Sequence, residues 1–177
     1  MQTAFWIYID QALGGGTREA GWLLSAQAAG GLAGAVVIGA WGKTRSPVSL
    51  LGWGAIGVGL IDLMVFNYPA FIPGIWLGLV LMAIGGVPAT AFGTGYTAAL
   101  QAEAADAYRG RVFGALGATS ALFMIAGAAI AGLATERLGA VVVLSIDSLG
   151  YAAGGVFALC ALATGAARYG RKEPSTP

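Results

Sequence analysis

Three polar side chains stand where polar side chains are costly to keep. Asp62, Asp147 and Gln27 each fall inside a long apolar run of the 177-residue chain, and an ionisable group retained in hydrocarbon usually faces protein or a water-filled path. Two readings of the aspartates are open. A carboxylate that takes up and releases a proton as its surroundings change can couple proton movement to other work. Alternatively, both acids lie within about 10 Å of the same end of their helices and reach interfacial water. Side-chain catalysis has little else to use. Histidine is absent, the single Cys160 sits in an apolar stretch with no intrachain disulfide partner, and no cluster has metal-ligand spacing. The residues therefore point away from an enzyme and imply no cofactor.

One motif spells a nucleotide site. Gly52-x-Gly54-x-x-Gly57, within "LLGWGAIGVGL" (50–60), matches the dinucleotide fingerprint. That fingerprint works only where a strand turns into a helix, with an acid about 20 residues on. Here the glycines lie inside an apolar run from Val48 to Val65, and the acid's place falls on Phe71 and Ile72. No P-loop occurs, so any transport would be ion-coupled and not powered by bound ATP. On a helix, Gly52 and Gly59 lie about 20° apart while Gly54 and Gly57 project from roughly the opposite side. Small residues let backbones approach closely in lipid, so two glycine faces predict two packed neighbours. Gly30-x-x-x-Gly34 belongs to the same class of contact and reads as packing within the chain. Asp62 continues the Gly52, Ala55, Gly59 stripe; Asp147 shares a face with Gly150, Tyr151 and Gly154, and Gln27 with Gly31 and Gly34.

The elements that position these residues follow from composition. The chain is 58% hydrophobic and 10% charged, against roughly 25% charged in soluble domains, and its mean hydropathy is +0.79. Runs of about 20 apolar residues are what a helix needs to cross a bilayer core. Five are found, at Ala20 to Trp41, Val48 to Asn67, Gly74 to Leu100, Val112 to Ala134 and Ala140 to Ala167. The connectors "GKTRSP" (42–47), "YPAFIP" (68–73), "QAEAADAYRGR" (101–111) and "TERLG" (135–139) are short, so consecutive helices run antiparallel. The opening segment "MQTAFWIYIDQAL" (1–13) gives only about 20 Å of helix. It reads as the outer half of a transmembrane helix whose beginning is missing. The predicted fold class is an all-α polytopic membrane protein, with that truncated helix at 1–13, a five-helix transmembrane bundle at 14–167 and a cytoplasmic tail at 168–177.

Orientation follows from the nine Lys and Arg residues, because basic residues in short loops stay on the cytoplasmic side. Lys43, Arg45, Arg109, Arg111, Arg168, Arg171 and Lys172 fall on one side, and only Arg18 and Arg137 on the other. The C-terminus is expected in the cytoplasm and the protein in the cell membrane, with the lipid bilayer as its first partner. Spread along one membrane face, the basic residues form no nucleic-acid patch. Arg109 and Arg111 oppose the dipole of the helix they open, with Asp106 as the favourable acid nearby; topological anchoring accounts for them. The stretch "AIGGVPATAFGTGYTAAL" (83–100) is the least regular. Pro88 removes a backbone hydrogen bond, and small residues with Thr90 and Thr94 line the helix, which reads either as a bending, pathway-lining helix with Tyr96 as an aromatic wall or as a tolerated kink in tight packing.

These residues carry a resemblance. Half a helix followed by five whole ones, with a basic loop before the fifth element and a Gly/Pro-rich fourth, is similar to the C-terminal half of a major facilitator superfamily transporter. "EAGWLLSAQAAGGLAGAVVIGAWGKTR" (19–45) resembles that fold's eighth helix and following loop, and "ADAYRGRVFGAL" (105–116) the loop leading into the eleventh. Arg109-Gly110-Arg111-Val112-Phe113 is similar to the drug and siderophore exporter branch, including the enterobactin exporter and macrolide efflux proteins. The family's loop after a half's second helix commonly reads Gly-x-x-x-Asp-Arg-x-Gly-Arg; here Gly39 is followed at the acid's place by Lys43. The resemblance implies part of a secondary transporter, exporting small molecules in exchange for protons, with the missing N-terminal half or a second copy as partner. The alternatives are a non-transporting remnant or membrane partner subunit, and a half that works only as a dimer.

Overall fold

The computed structural model describes residues 2–103 and 109–169, and among them it contains helices and no strand. The helices are α1 (Gln2–Leu13), α2 (Thr17–Trp41), α3 (Pro47–Asn67), α4 (Trp76–Glu103), α5 (Arg109–Leu138) and α6 (Ala140–Tyr169). The last five are long and apolar enough to cross a membrane. In hydrocarbon a helix satisfies its own backbone, which is why these apolar runs adopt no other form. The expectations for Asp106, for the side chains of Lys43, Arg109 and Arg168, and for the tail beyond Tyr169 lie outside the described residues.

Polar residues fix the helix ends. At α2 the Gly16 N–H donates to Glu19 Oε2 at 2.7 Å, placing an acid in the first turn where the helix dipole favours it. At α3 the Ser46 hydroxyl accepts from the Ser49 N–H at 3.2 Å, with Pro47 at the first helical position. Two expected boundaries are corrected. "TERLG" is not a connector: Thr135 to Leu138 complete α5, and only Gly139, at φ +83°, separates it from α6. The Gly139 N–H closes on the Thr135 carbonyl at 2.9 Å, a left-handed helix end that glycine adopts without strain. Likewise α4 runs on through Glu103, and Arg109 already belongs to α5. Polar residues there mark where a helix meets water, and a helix continues into water without difficulty.

The tightly packed part is a layer in the order α2, α4, α3, α6. Small residues make the seams. A Cβ at Gly30 would overlap the Ala83 carbonyl, and Gly34 faces Val87 and Thr90, so the Gly30/Gly34 pair is the α2–α4 seam. On α3, Gly54 and Gly57 face Phe92 and Pro88 of α4, while Gly52 and Gly59 face Gly155, Leu159, Ser148 and Ala152 of α6. The two glycine faces thus have the two neighbours their spacing predicts. At the other end of the layer, α1 adds a small core of Tyr8 and Ile9 against Val65, Phe66 and Leu144. The Tyr8 hydroxyl donates to the Val65 carbonyl, and its ring meets Phe66 edge-on at 5.3 Å. Among the described residues, helix α5 meets the rest mainly through limited contacts with α1 and α6.

Candidate functional site

Beside the α3–α6 seam lies a cavity of about 330 Å³ whose wall includes Asp62, Asp147, Gln27 and Tyr151. The seam aims the two acids. Gly59 brings the α3 backbone against the Ser148 carbonyl of α6. Asp62 stands one turn beyond Gly59 on the same stripe, and Asp147 is the residue before Ser148, so both carboxylates sit at the edge of one close crossing. Outward of them, Asn67 locks the register: its Nδ2 donates to Ser145 Oγ at 3.0 Å and to the Leu63 carbonyl at 2.8 Å. Ser148, fully buried, keeps its hydroxyl on the Leu144 carbonyl at 2.8 Å and makes no demand on the cavity. Gln27 reaches the cavity from α2, because the Gly30 and Gly86 contacts hold α2 against α4.

The remaining wall is apolar and aromatic, and among the described residues it contains no Lys or Arg. Phe92 of α4 meets Tyr151 edge-on at 5.6 Å and stacks on Tyr96 at 6.3 Å. Phe66 and Leu144 belong both to this wall and to the core under α1, and Phe5 of α1 adds a further ring. The chamber therefore offers two carboxylates, an amide and a phenol in an apolar shell, with aromatic faces that attract cations. Such a set can hold a proton or hand one between carboxylates, and it can hold a small cationic group.

The three intramembrane polar residues flagged by sequence thus come together, although each was read on its own helix. The other flagged positions lie elsewhere. Thr90 bonds through its hydroxyl to the Gly31 carbonyl at 3.1 Å and to the Gly86 carbonyl at 2.9 Å, placing it in the α2–α4 seam. Pro88 lies within the unbroken α4, its ring opposite Gly57. Thr94 lines a separate depression with Gly93 and Thr97, and Tyr96 reaches the chamber only through its stack on Phe92. Arg45 lines a different cleft, Arg111 is exposed, and Lys43 and Arg109 are located by backbone alone. Sequence reasoning did not single out Phe92 or Phe5 for the site. Phe92 lies in the irregular stretch that drew attention to its threonines, but nothing in helical spacing says which ring turns toward α6.

The family model of the Major Facilitator Superfamily matches residues 1–177. Comparisons with curated proteins and with solved structures give no match. A bundle of long apolar helices with two acids lining one cavity is in keeping with a transporter-type family, and a match over the whole chain makes the assignment: the protein belongs to the major facilitator superfamily.

Proposed function

We propose that the protein is one wall of a proton-coupled exporter of small molecules, drug-like or siderophore-like, in which Asp62 and Asp147 carry the coupling proton. The observation that carries this reading is the convergence of both aspartates, with Gln27 and Tyr151, on one cavity whose lining, among the described residues, includes no basic side chain. Ionisable groups kept inside a membrane bundle mark substrate, ion and proton paths, with a functional role as the default hypothesis. Support for export as the direction comes from the Arg109-Gly110-Arg111-Val112-Phe113 sequence and its similarity to the exporter branch. The second wall is supplied by an N-terminal half or by a second copy, because alternating access rocks one repeat against another around a midplane site. Support for such a partner comes from α5, whose glycines 110, 114, 117, 127 and 132 all face open space. In this reading the basic loops lie in the cytoplasm and the protein in the cell membrane.

The experiment is proton-driven efflux of fluorescent drug-like dyes from cells or everted vesicles carrying the complete transporter. Asp62→Asn and Asp147→Asn keep the side chain's size and remove its charge change. Each variant is expected to abolish dye gradients while folded protein remains in the membrane. Undiminished proton-driven efflux in both variants would reduce the two aspartates to interfacial polar residues.

A further inference from the structure

Helices α2 and α3 both pack on α4 but hardly touch each other, and at the end where α2 gives way to α3 they part to leave a cleft of about 740 Å³. This lies within the roughly 300–1,000 Å³ of small-molecule sites. Its floor is Val87, Pro88 and Ala91 of α4. Its mouth carries Arg45 with the hydroxyl-bearing Thr44 and Ser49, and among the described residues the wall contains no Asp or Glu. Trp41 on α2 and Trp53 on α3 flank it, 76% and 64% exposed. Trp41, at the end of α2, stands where an indole favours the headgroup level of a bilayer, and Trp53 lies nearly two turns inside α3, at acyl-chain depth.

We propose that this cleft binds an anionic phospholipid, with the phosphate on Arg45 and an acyl chain running inward past Trp53 toward Val87. Among the described residues an exposed guanidinium faces an apolar cleft whose lining includes no acid, and arginine binds phosphate through paired hydrogen bonds. The mouth is also preformed. Thr44 Oγ1 donates to the Trp41 carbonyl at 3.1 Å, the Arg45 N–H closes on the Gly42 carbonyl at 3.0 Å, and Ser46 caps α3. The shape selects a lipid over a free anion. From its start at Pro47 to Gly54, α3 rises about 10 Å along the cleft, whose inner part is lined by apolar side chains that a free phosphate would leave empty. Basic pockets between transmembrane helices recognise anionic headgroups in this manner.

The test uses the full chain with Trp53 as its only tryptophan, Trp6, Trp22, Trp41 and Trp76 being replaced by Phe. It is reconstituted in phosphatidylcholine containing a small fraction of acyl-brominated phosphatidylglycerol, or the same fraction of brominated phosphatidylcholine. The anionic lipid is expected to quench Trp53 severalfold more strongly at equal fraction. That excess is expected to disappear in Arg45→Gln, to fall as salt is raised and to persist in Arg137→Gln at the opposite end. Equal quenching by the two lipids, or an excess that survives Arg45→Gln, would overturn the proposal. Displacement of the excess by inorganic phosphate beyond that produced by sodium chloride at equal ionic strength would assign the site to free anions and overturn it equally. Native mass spectrometry of the unmodified chain and of Arg45→Gln reads the same preference without tryptophan changes, as retained phosphatidylglycerol adducts that the variant loses.

Discussion

Helices α3 and α5 are both glycine-rich and apolar, and they behave in opposite ways. Every glycine of α3 lies against a neighbour: Gly52 and Gly59 against α6, Gly54 and Gly57 against α4. Glycines 110, 114, 117, 127 and 132 of α5 have no atom within 4 Å of where a Cβ would stand. The large side chains follow suit, with Leu122, Phe123, Met124 and Ile125 of α5 all about 70% exposed. A glycine pattern therefore shows that a close approach is possible without naming the partner. Where the partner lies in the same layer, the approach is made; along α5 no described residue makes it.

The comparison is sharpest at the seams. Gly30→Val places branched carbon where the Ala83 carbonyl already stands, so α2 must back away from α4. Overpacking costs about 1–3 kcal/mol in tolerant cores and more where backbone is the obstacle. We expect about 3 kcal/mol or more, read as loss of monodisperse protein in detergent and early thermal aggregation. Wild-type behaviour of Gly30→Val would mean that the α2–α4 seam is looser than described.

Gly117→Val asks the converse question on α5. With open space around it, the substitution changes little beyond helix propensity, less than about 1 kcal/mol. The expected outcome is unchanged thermal stability of the isolated chain together with impaired transport in the complete assembly. A strong loss of stability in the isolated chain would show that α5 is packed within this half. Unimpaired transport would show that the glycine face meets only lipid.

A smaller effect is expected at Thr90, whose hydroxyl links α2 to α4 through the Gly31 carbonyl. Interhelical hydrogen bonds of this kind average about 0.6 kcal/mol in membrane proteins. Thr90→Val is therefore expected to lower stability by about that amount and to leave transport intact. A large loss of transport at normal stability would move Thr90 from packing to the pathway.

Much of the fold was legible because lipid simplifies the code. Apolar run length located the five spanning helices, and the 20° offset of Gly52 and Gly59 assigned the two faces of α3. Helix ends were less legible. Thr135, Glu136 and Arg137 look like a loop by polarity, yet the helix ends only at Leu138, where Gly139 supplies the left-handed turn. The site was legible residue by residue but not as a site. Periodicity places Asp62, Asp147 and Gln27 on faces of their own helices; that those faces meet depends on the layer order α2, α4, α3, α6, which no single helix encodes. Phe92 illustrates the same limit, since its role rests on Tyr151 lying across from it.

The central claim is that Asp62 and Asp147 face one water-accessible chamber. In a Cys160→Ala background, Asp62→Cys and Asp147→Cys are introduced together and treated in the membrane with a short, hydrophilic bifunctional thiosulfonate. The expected result is an intramolecular cross-link between positions 62 and 147, reversed by reductant, and protection of both thiols when Tyr151→Trp fills the chamber. Separate modification of each thiol without a cross-link would place the two residues in unconnected interfacial water and contradict the account.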